Sequence, residues 1–287
     1  MVDVEREQRC YARYALSVSD LHPELTSRMS FLNASLAARR TRAQRHQRSS
    51  GLHGRMILGG GFGSTGTSSL SVAVSYFGLT VWHGSNKLEC RSPGSCSPPT
   101  WHFGPIAHGY ALGIRSSWLA SISSCDQRLD SFNYALPAAL DALFDLPSAE
   151  AALDYHWANP DSLVILSTRQ PLEWVHARRK LGRHIPAPVD RPCRDAVGLL
   201  KDLSDEQAAG LFVAHGKLLE CVIPGNRLIK VDLFAPNGTD AIMSQLALVI
   251  RGSSSLVPEL PFPRVNSHST NKSESTNRTF LQLVGRK

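Results

Sequence analysis

Short apolar runs alternate along this chain with longer stretches of helical spacing. Met56–Gly59, Leu79–His83, Phe144–Leu146, Leu163–Ser167 and Leu228–Val231 have the length and side-chain character of buried strands. Gly66–Phe77, Ser131–Leu143, Ala149–Ala158, Leu172–Leu181, Ser204–Cys221 and Gly238–Ile250 carry apolar residues at helical period. Ser204 with Gln207 three residues on predicts a capping box at the start of its helix. Strands alternating with helices predict a three-layer α/β domain, a parallel sheet with helices on both faces. At 287 residues, one such domain is the economical count. Asn86–Gly113 is rich in Pro, Gly, Ser and His and reads as a long, substrate-facing loop, and Arg183–Arg194 as a proline-rich excursion. Helical spacing in Tyr11–Leu21 and Pro23–Ala38 is diluted by charged and small residues. Residues 1–55 are therefore expected to be a basic, poorly structured N-terminal extension, and residues 56–287 the α/β domain.

The densest chemistry lies in Met56–Leu70, MILGGGFGSTGTSSL, a strand, a glycine-rich turn and a helix start lined with hydroxyls. Such a loop binds phosphate, because its backbone N–H groups converge on a concavity and the helix N-terminus adds partial positive charge. Three loop types fit it. A kinase-type phosphate loop matches the spacing of Gly61 and Gly66, but Thr67 stands where its lysine belongs. A dinucleotide fingerprint matches Gly61-Phe62-Gly63-Ser64-Thr65-Gly66 literally. An NAD site also wants an acid at the end of the second strand, where this chain has His83-Gly84. An NADP site wants an arginine there, and only Lys87 is near.

The third type is carried by Gly63-Ser64-Thr65-Gly66-Thr67-Ser68-Ser69-Leu70, which resembles the phosphate loop of the sulfotransferase family, G-x-x-[RK]-[ST]-G-T-[ST]-[ST]-L, with Ser64 in place of the basic residue. Asp161–Lys180, DSLVILSTRQPLEWVHARRK, is similar to the family's second motif, a strand followed by R-[DN]-P-x-x-W-x-x-S-R. Arg169, Pro171, Trp174 and Arg178 match it, and Ala177 replaces the serine. Leu140–Pro147, Arg227–Phe234 and Pro261–Asn266 resemble further family elements, so the likeness runs over about residues 56–287.

The resemblance implies a P-loop-like fold of the sulfotransferase type. It also implies transfer of a sulfuryl group from 3′-phosphoadenosine-5′-phosphosulfate (PAPS) to a hydroxyl or amine. The cofactor-binding set is then Gly61, Gly63, Ser64, Thr65, Gly66, Thr67, Ser68 and Ser69 of the loop for the 5′-phosphosulfate, Arg169 for the 3′-phosphate, and Arg178 as the final arginine of the second motif. A planar guanidinium grips phosphate through paired hydrogen bonds. His83, Asp145 and His108 are candidate bases for the acceptor proton, with His83 and Asp145 preferred as a joint catalytic pair. Ser64 brings no charge to the leaving group, so a catalytically impaired nucleotide-binding relative stays open beside the active enzyme, as does a dinucleotide oxidoreductase.

Charge and cysteines add constraints. The net charge is +7, and seven arginines fall in Arg28–Arg55 within a stretch, Thr26–Leu88, that has no acid. A solvated tail and an organelle-targeting segment both fit that run. Nucleic acid is not the expected partner, because aromatics are missing from it. The expected acceptor is a small molecule, a carbohydrate or a lipid, and Trp82, Trp101 and Trp118 are candidate sugar-stacking residues. None of the six cysteines forms C-x-x-C, so no metal is expected. Cys90 and Cys96 flank a loop and are the candidate pair in an oxidising compartment. No apolar run reaches transmembrane length. A cytoplasmic location is expected, with the Golgi lumen or an organelle as the alternative that sequons at Asn33, Asn237, Asn271 and Asn277 favour.

Overall fold

Five strands line up in parallel across the centre of the molecule: β1 (Ile57–Gly59), β2 (Val81–His83), β5 (Ala142–Phe144), β6 (Leu163–Thr168) and β7 (Leu228–Asp232). Their spatial order is β2-β5-β1-β6-β7. The structure, a computed structural model, describes residues 4–23, 36–45, 56–79, 81–83, 89–90, 96–97, 140–145, 148–182, 185, 187–189, 198–252 and 261–263. Side chains alternate across the sheet with the two-residue period of a strand. Leu58, Leu143, Val164 and Leu166 enter one apolar core, and Ile57, Ala142, Phe144, Leu163 and Ile165 enter the other. Both faces are covered, which is why these strands read as unbroken apolar runs.

Helices carry the remaining layers, among them α1 (Val4–Leu21), α2 (Thr67–Ser75), α3 (Ala152–Ala158), α4 (Pro171–Arg179), α5 (Asp205–Val222) and α6 (Gly238–Arg251). α2 and α6 cover one face through Leu70, Val74, Ile242 and Leu246. α3, α4 and α5 cover the other through Leu153, Trp174, Leu211 and Leu218. The three-layer α/β architecture is thus the one the alternation of elements predicts. The capping box at Ser204 is present, with Gln207 N–H donating to Ser204 Oγ at 3.1 Å and Ser204 N–H to Gln207 Oε1 at 2.9 Å.

Three expectations are corrected. The strand placed at Phe144–Leu146 is Ala142–Phe144, so Leu143, read as the end of a helix, is a strand residue. Pairing decides this: Ala142 and Leu143 sit opposite Ile57 and Leu58 on one side and Val81 and Trp82 on the other. The rest of the helix expected over Ser131–Leu143 lies outside the described residues up to position 139. Within the supposedly irregular Asn86–Gly113, β3 (Glu89–Cys90) and β4 (Cys96–Ser97) form an antiparallel ladder with Cys90 opposite Cys96.

The third correction concerns the N-terminal extension, which is not poorly structured where it is described. α1 buries Glu7, Cys10, Tyr11, Tyr14 and Val18, a stripe at spacings of three and four that lies along α5. Cys10 is disulfide-bonded to Cys221 near the end of α5, across 211 residues. Residues 36–45 are helical, and Arg39, fully buried, grips Asp154 of α3 through two bonds, Nε to Oδ1 at 3.2 Å and Nη2 to Oδ2 at 2.5 Å. Arg40 pairs with Glu7 at 2.9 Å. Part of the charge read as a solvated face is therefore internal. Among the described residues no helix is long and apolar enough to cross a membrane.

Candidate active site

The sheet order creates the crevice. From β1 the chain leaves toward β2, and from β6 it leaves toward β7, in the opposite direction. The loops after β1 and β6 diverge, and ligands of open α/β sheets bind at such a switch point, beyond the carboxyl ends of the strands. The β1 loop is Gly60–Gly66, and the β6 loop is Arg169-Gln170.

Close packing explains the glycines. Gly60 N–H donates to Ile165 O at 2.9 Å and so continues the ladder. A methyl group on Gly61 would lie 2.1 Å from Ser167 Oγ and 2.5 Å from Ser167 O, so the loop can lie on β6 only without a side chain there. Gly66 has φ +87° at the N-cap of α2, a left-handed conformation that glycine adopts without strain. Ser64 is also left-handed, at φ 73°, a costlier choice for a residue with a Cβ. The Thr65 hydroxyl donates to Phe62 O at 2.6 Å and lies 2.6 Å from Ser167 Oγ, fully buried. The hydroxyl thus ties the loop to β6. Ser69 is also buried, while Ser68 is partly exposed.

α4 braces the loop from the β6 side. Gln170 caps the helix by accepting from Glu173 N–H at 2.8 Å, and Pro171 occupies its first turn, where a missing N–H costs nothing. Trp174 and Arg178, one turn apart, face inward. Trp174 Nε1–H donates to Gly63 O at 2.9 Å while its ring stacks on Phe212 of α5 at 4.4 Å. A methyl group on Gly63 would meet Arg178 Nη1 at 2.4 Å and Asp145 Oδ1 at 2.8 Å, so the absence of a side chain there leaves room for a buried guanidinium and a carboxylate together. Arg169 Nη1–H donates to Ser64 O at 3.4 Å, and Nε–H to Glu173 Oε2 at 3.4 Å. Its guanidinium lies 4.2 Å above the ring of Phe234, in the turn after β7.

His83 and Asp145 close the other flank. β2 and β5 are neighbours, and His83 sits opposite Phe144 in their register. His83 Nε2 lies 3.2 Å from Thr67 Oγ1, 3.2 Å from Ser68 Oγ and 4.0 Å from Asp145 Oδ2. Asp145 directly follows β5 at φ 63°, and its Oδ1 is buried without a hydrogen-bond partner. The loop, Arg169, Arg178, His83 and Asp145 therefore meet at one edge of the sheet. His108, Lys87, Trp101 and Trp118 lie outside the described residues, and Trp82 is a core residue.

Sequence reasoning missed the supports behind the loop. His215 of α5 lies with Nε2 3.3 Å from Gly60 O and its ring 4.4 Å from that of Phe62. Phe234 beneath Arg169 and Ser167 beneath Gly61 were also unmarked. Each acts across many residues of chain, and no local pattern signals it.

A family model described as sulfotransferase domain matches residues 56–271. No curated protein matches the chain. The family match spans most of the 287 residues, and the chain belongs to the sulfotransferase family.

Proposed function

We propose, from that membership, that this protein transfers a sulfuryl group from PAPS to a hydroxyl or amine of a small molecule, carbohydrate or lipid. One observation carries the reading: a neutral glycine loop, two arginines and a histidine–aspartate pair converge at the switch point of the sheet. The donor set suits a bisphosphate. Thr67 and Ser68 offer hydroxyls, the first turn of α2 offers backbone N–H groups, and Arg169 and Arg178 offer fixed positive charge. Arg169 is half held by Ser64 O and the Phe234 ring, an orientation suited to the 3′-phosphate. PAPS supplies the activated sulfuryl group. The acceptor oxygen or nitrogen bonds to sulfur as the bond from sulfur to the 5′-phosphate oxygen breaks. Adenosine 3′,5′-bisphosphate (PAP) leaves with the electron pair, and the acceptor's proton passes to a base at the corner where His83 and Asp145 meet. The chain's own work is to orient both partners and to offset the leaving charge.

The Cys10–Cys221 disulfide favours an oxidising compartment, the Golgi-lumen alternative, over the cytoplasm. Asn237, on an exposed turn before α6, is a sequon consistent with it.

Thermal-shift titration with PAP, PAPS, NADP and ATP tests the nucleotide, and transfer of labelled sulfate to trial acceptors tests the reaction. PAP should raise the unfolding temperature and NADP should not. Arg169→Ala should lose most of that PAP shift; an unchanged shift removes Arg169 from the site. Binding of PAP without transfer to any acceptor class selects the catalytically impaired relative.

A further inference from the structure

From Gly60 to Ser75 the chain contains no ionisable side chain, so the loop and the helix it opens bring no formal charge of their own to a phosphate. The two arginines reach the loop on one flank only, at Gly63 and Ser64. The hydroxyls that begin α2, Thr67 and Ser68, lie on the other flank, and there the ionisable ring is His83.

The orientation of that ring is informative. A general base turns its free nitrogen to the incoming acceptor. In His83 the nitrogen Nε2 instead faces both loop hydroxyls, with Asp145 Oδ2 at 4.0 Å. The ring is only 6% exposed, at the end of β2. Asp145, directly after β5, lies against the ring, Arg178 of α4 lies with Asp145 against Gly63, and α2 presents hydroxyls and apolar groups to it. A positive charge on the ring would have a carboxylate beside it and, with ligand bound, a phosphate at the loop.

We infer that His83, protonated on Nε2, is the cation of this phosphate loop and not the base of the reaction. It holds positive charge against the 5′-phosphate as the bond to sulfur breaks. Asp145, which has an unpartnered Oδ1, then takes the acceptor's proton alone. This division of roles rests on the sulfuryl-transfer reading above.

Calorimetric titration with PAP, which binds without turnover, separates the two. The native chain, His83→Asn, Ser64→Arg and the double variant Ser64→Arg/His83→Asn are each compared at about pH 6 and about pH 8, either side of the ordinary imidazole titration. His83→Asn should bind PAP about tenfold more weakly than the native chain at the lower pH, the size expected for a lost charged hydrogen bond, and nearly equally at the higher. The double variant should regain affinity at both, because an arginine at position 64 restores a loop cation that does not titrate. Ser64→Arg alone, with His83 intact, should bind PAP with less of the native dependence on pH. Native PAP affinity in His83→Asn, with transfer lost and not rescued by Ser64→Arg, overturns the inference and returns His83 to the role of base. If His83→Asn fails to fold, an unaltered pH dependence in Ser64→Arg overturns it equally. A native chain that binds no PAP defeats the function itself, a result distinct from either.

Discussion

Trp174 joins two kinds of contact in one side chain. Its ring lies nearly parallel to Phe212, at 13°, and its N–H reaches the carbonyl of Gly63 at the crown of the loop. Trp174→Phe should retain the stacking and strand that buried carbonyl, at a cost of about 1–3 kcal/mol. The expected outcome is a lower unfolding temperature together with weaker PAP binding; a variant with native values for both would show that the loop holds its shape without this bond. The motif spacing in Asp161–Lys180 made Trp174 and Arg169 legible, because a strand, a turn and one helical turn fix their relation locally. Ser167, His215 and Phe234 were not legible. They touch Gly61, Gly60 and Arg169 only because β1, β6 and β7 lie side by side and α5 lies over them.

Among the elements, α1 was the least readable. Its buried stripe includes Glu7 and Cys10, and the helical segment beside it presents Arg39 and Arg40 inward, so hydropathy understated the packing. α1 lies along α5, the helix that also carries Phe212 and His215 behind the phosphate loop. The Cys10–Cys221 link therefore ties the N-terminal segment to the support of the site. Closing so long a loop restricts the unfolded chain, and a native disulfide of this kind contributes about 2–4 kcal/mol. Denaturant unfolding with and without reductant should show a loss of that order, and Cys10→Ser should show it without reductant. If reduction leaves the midpoint unmoved, the two cysteines are not joined in solution. The same architecture explains why β5 was misplaced: its three residues are strand because β1 and β2 flank them, not because of their own pattern.

For the molecule as a whole, two buried polar sites tie stability to conditions. The Arg39–Asp154 pair crosses from the N-terminal segment to α3, with both partners almost fully buried. Arg39→Ala takes the guanidinium away from a buried carboxylate and should destabilise by about 3–5 kcal/mol, whereas Arg39→Met with Asp154→Leu should come much closer to the native midpoint. A mild effect from Arg39→Ala would mean that water reaches Asp154. His156, also in α3, is held neutral by burial and secondarily by the Arg227 charge, with its pKa lowered from 6.5 to about 4. Between those values the unfolded chain binds a proton that the folded one does not. Its contribution is therefore complete above about pH 6.5 and is lost as the pH falls toward 4, by about 3 kcal/mol in all. His156→Gln should flatten that part of the acid limb in a stability–pH series; an identical limb would assign it to other groups.

The order of strands and helices, the phosphate loop and the arginine turn could all be written down from residues 56–252, since each depends on spacing within a few turns of chain. The contacts of His83 with Thr67 and Ser68 could not, nor could the inward turn of Thr65 or the burial of Arg39. Those outcomes depend on which strands become neighbours and on which charges find a partner inside, and a linear pattern of apolar and polar positions carries no information about distance between segments far apart in the chain.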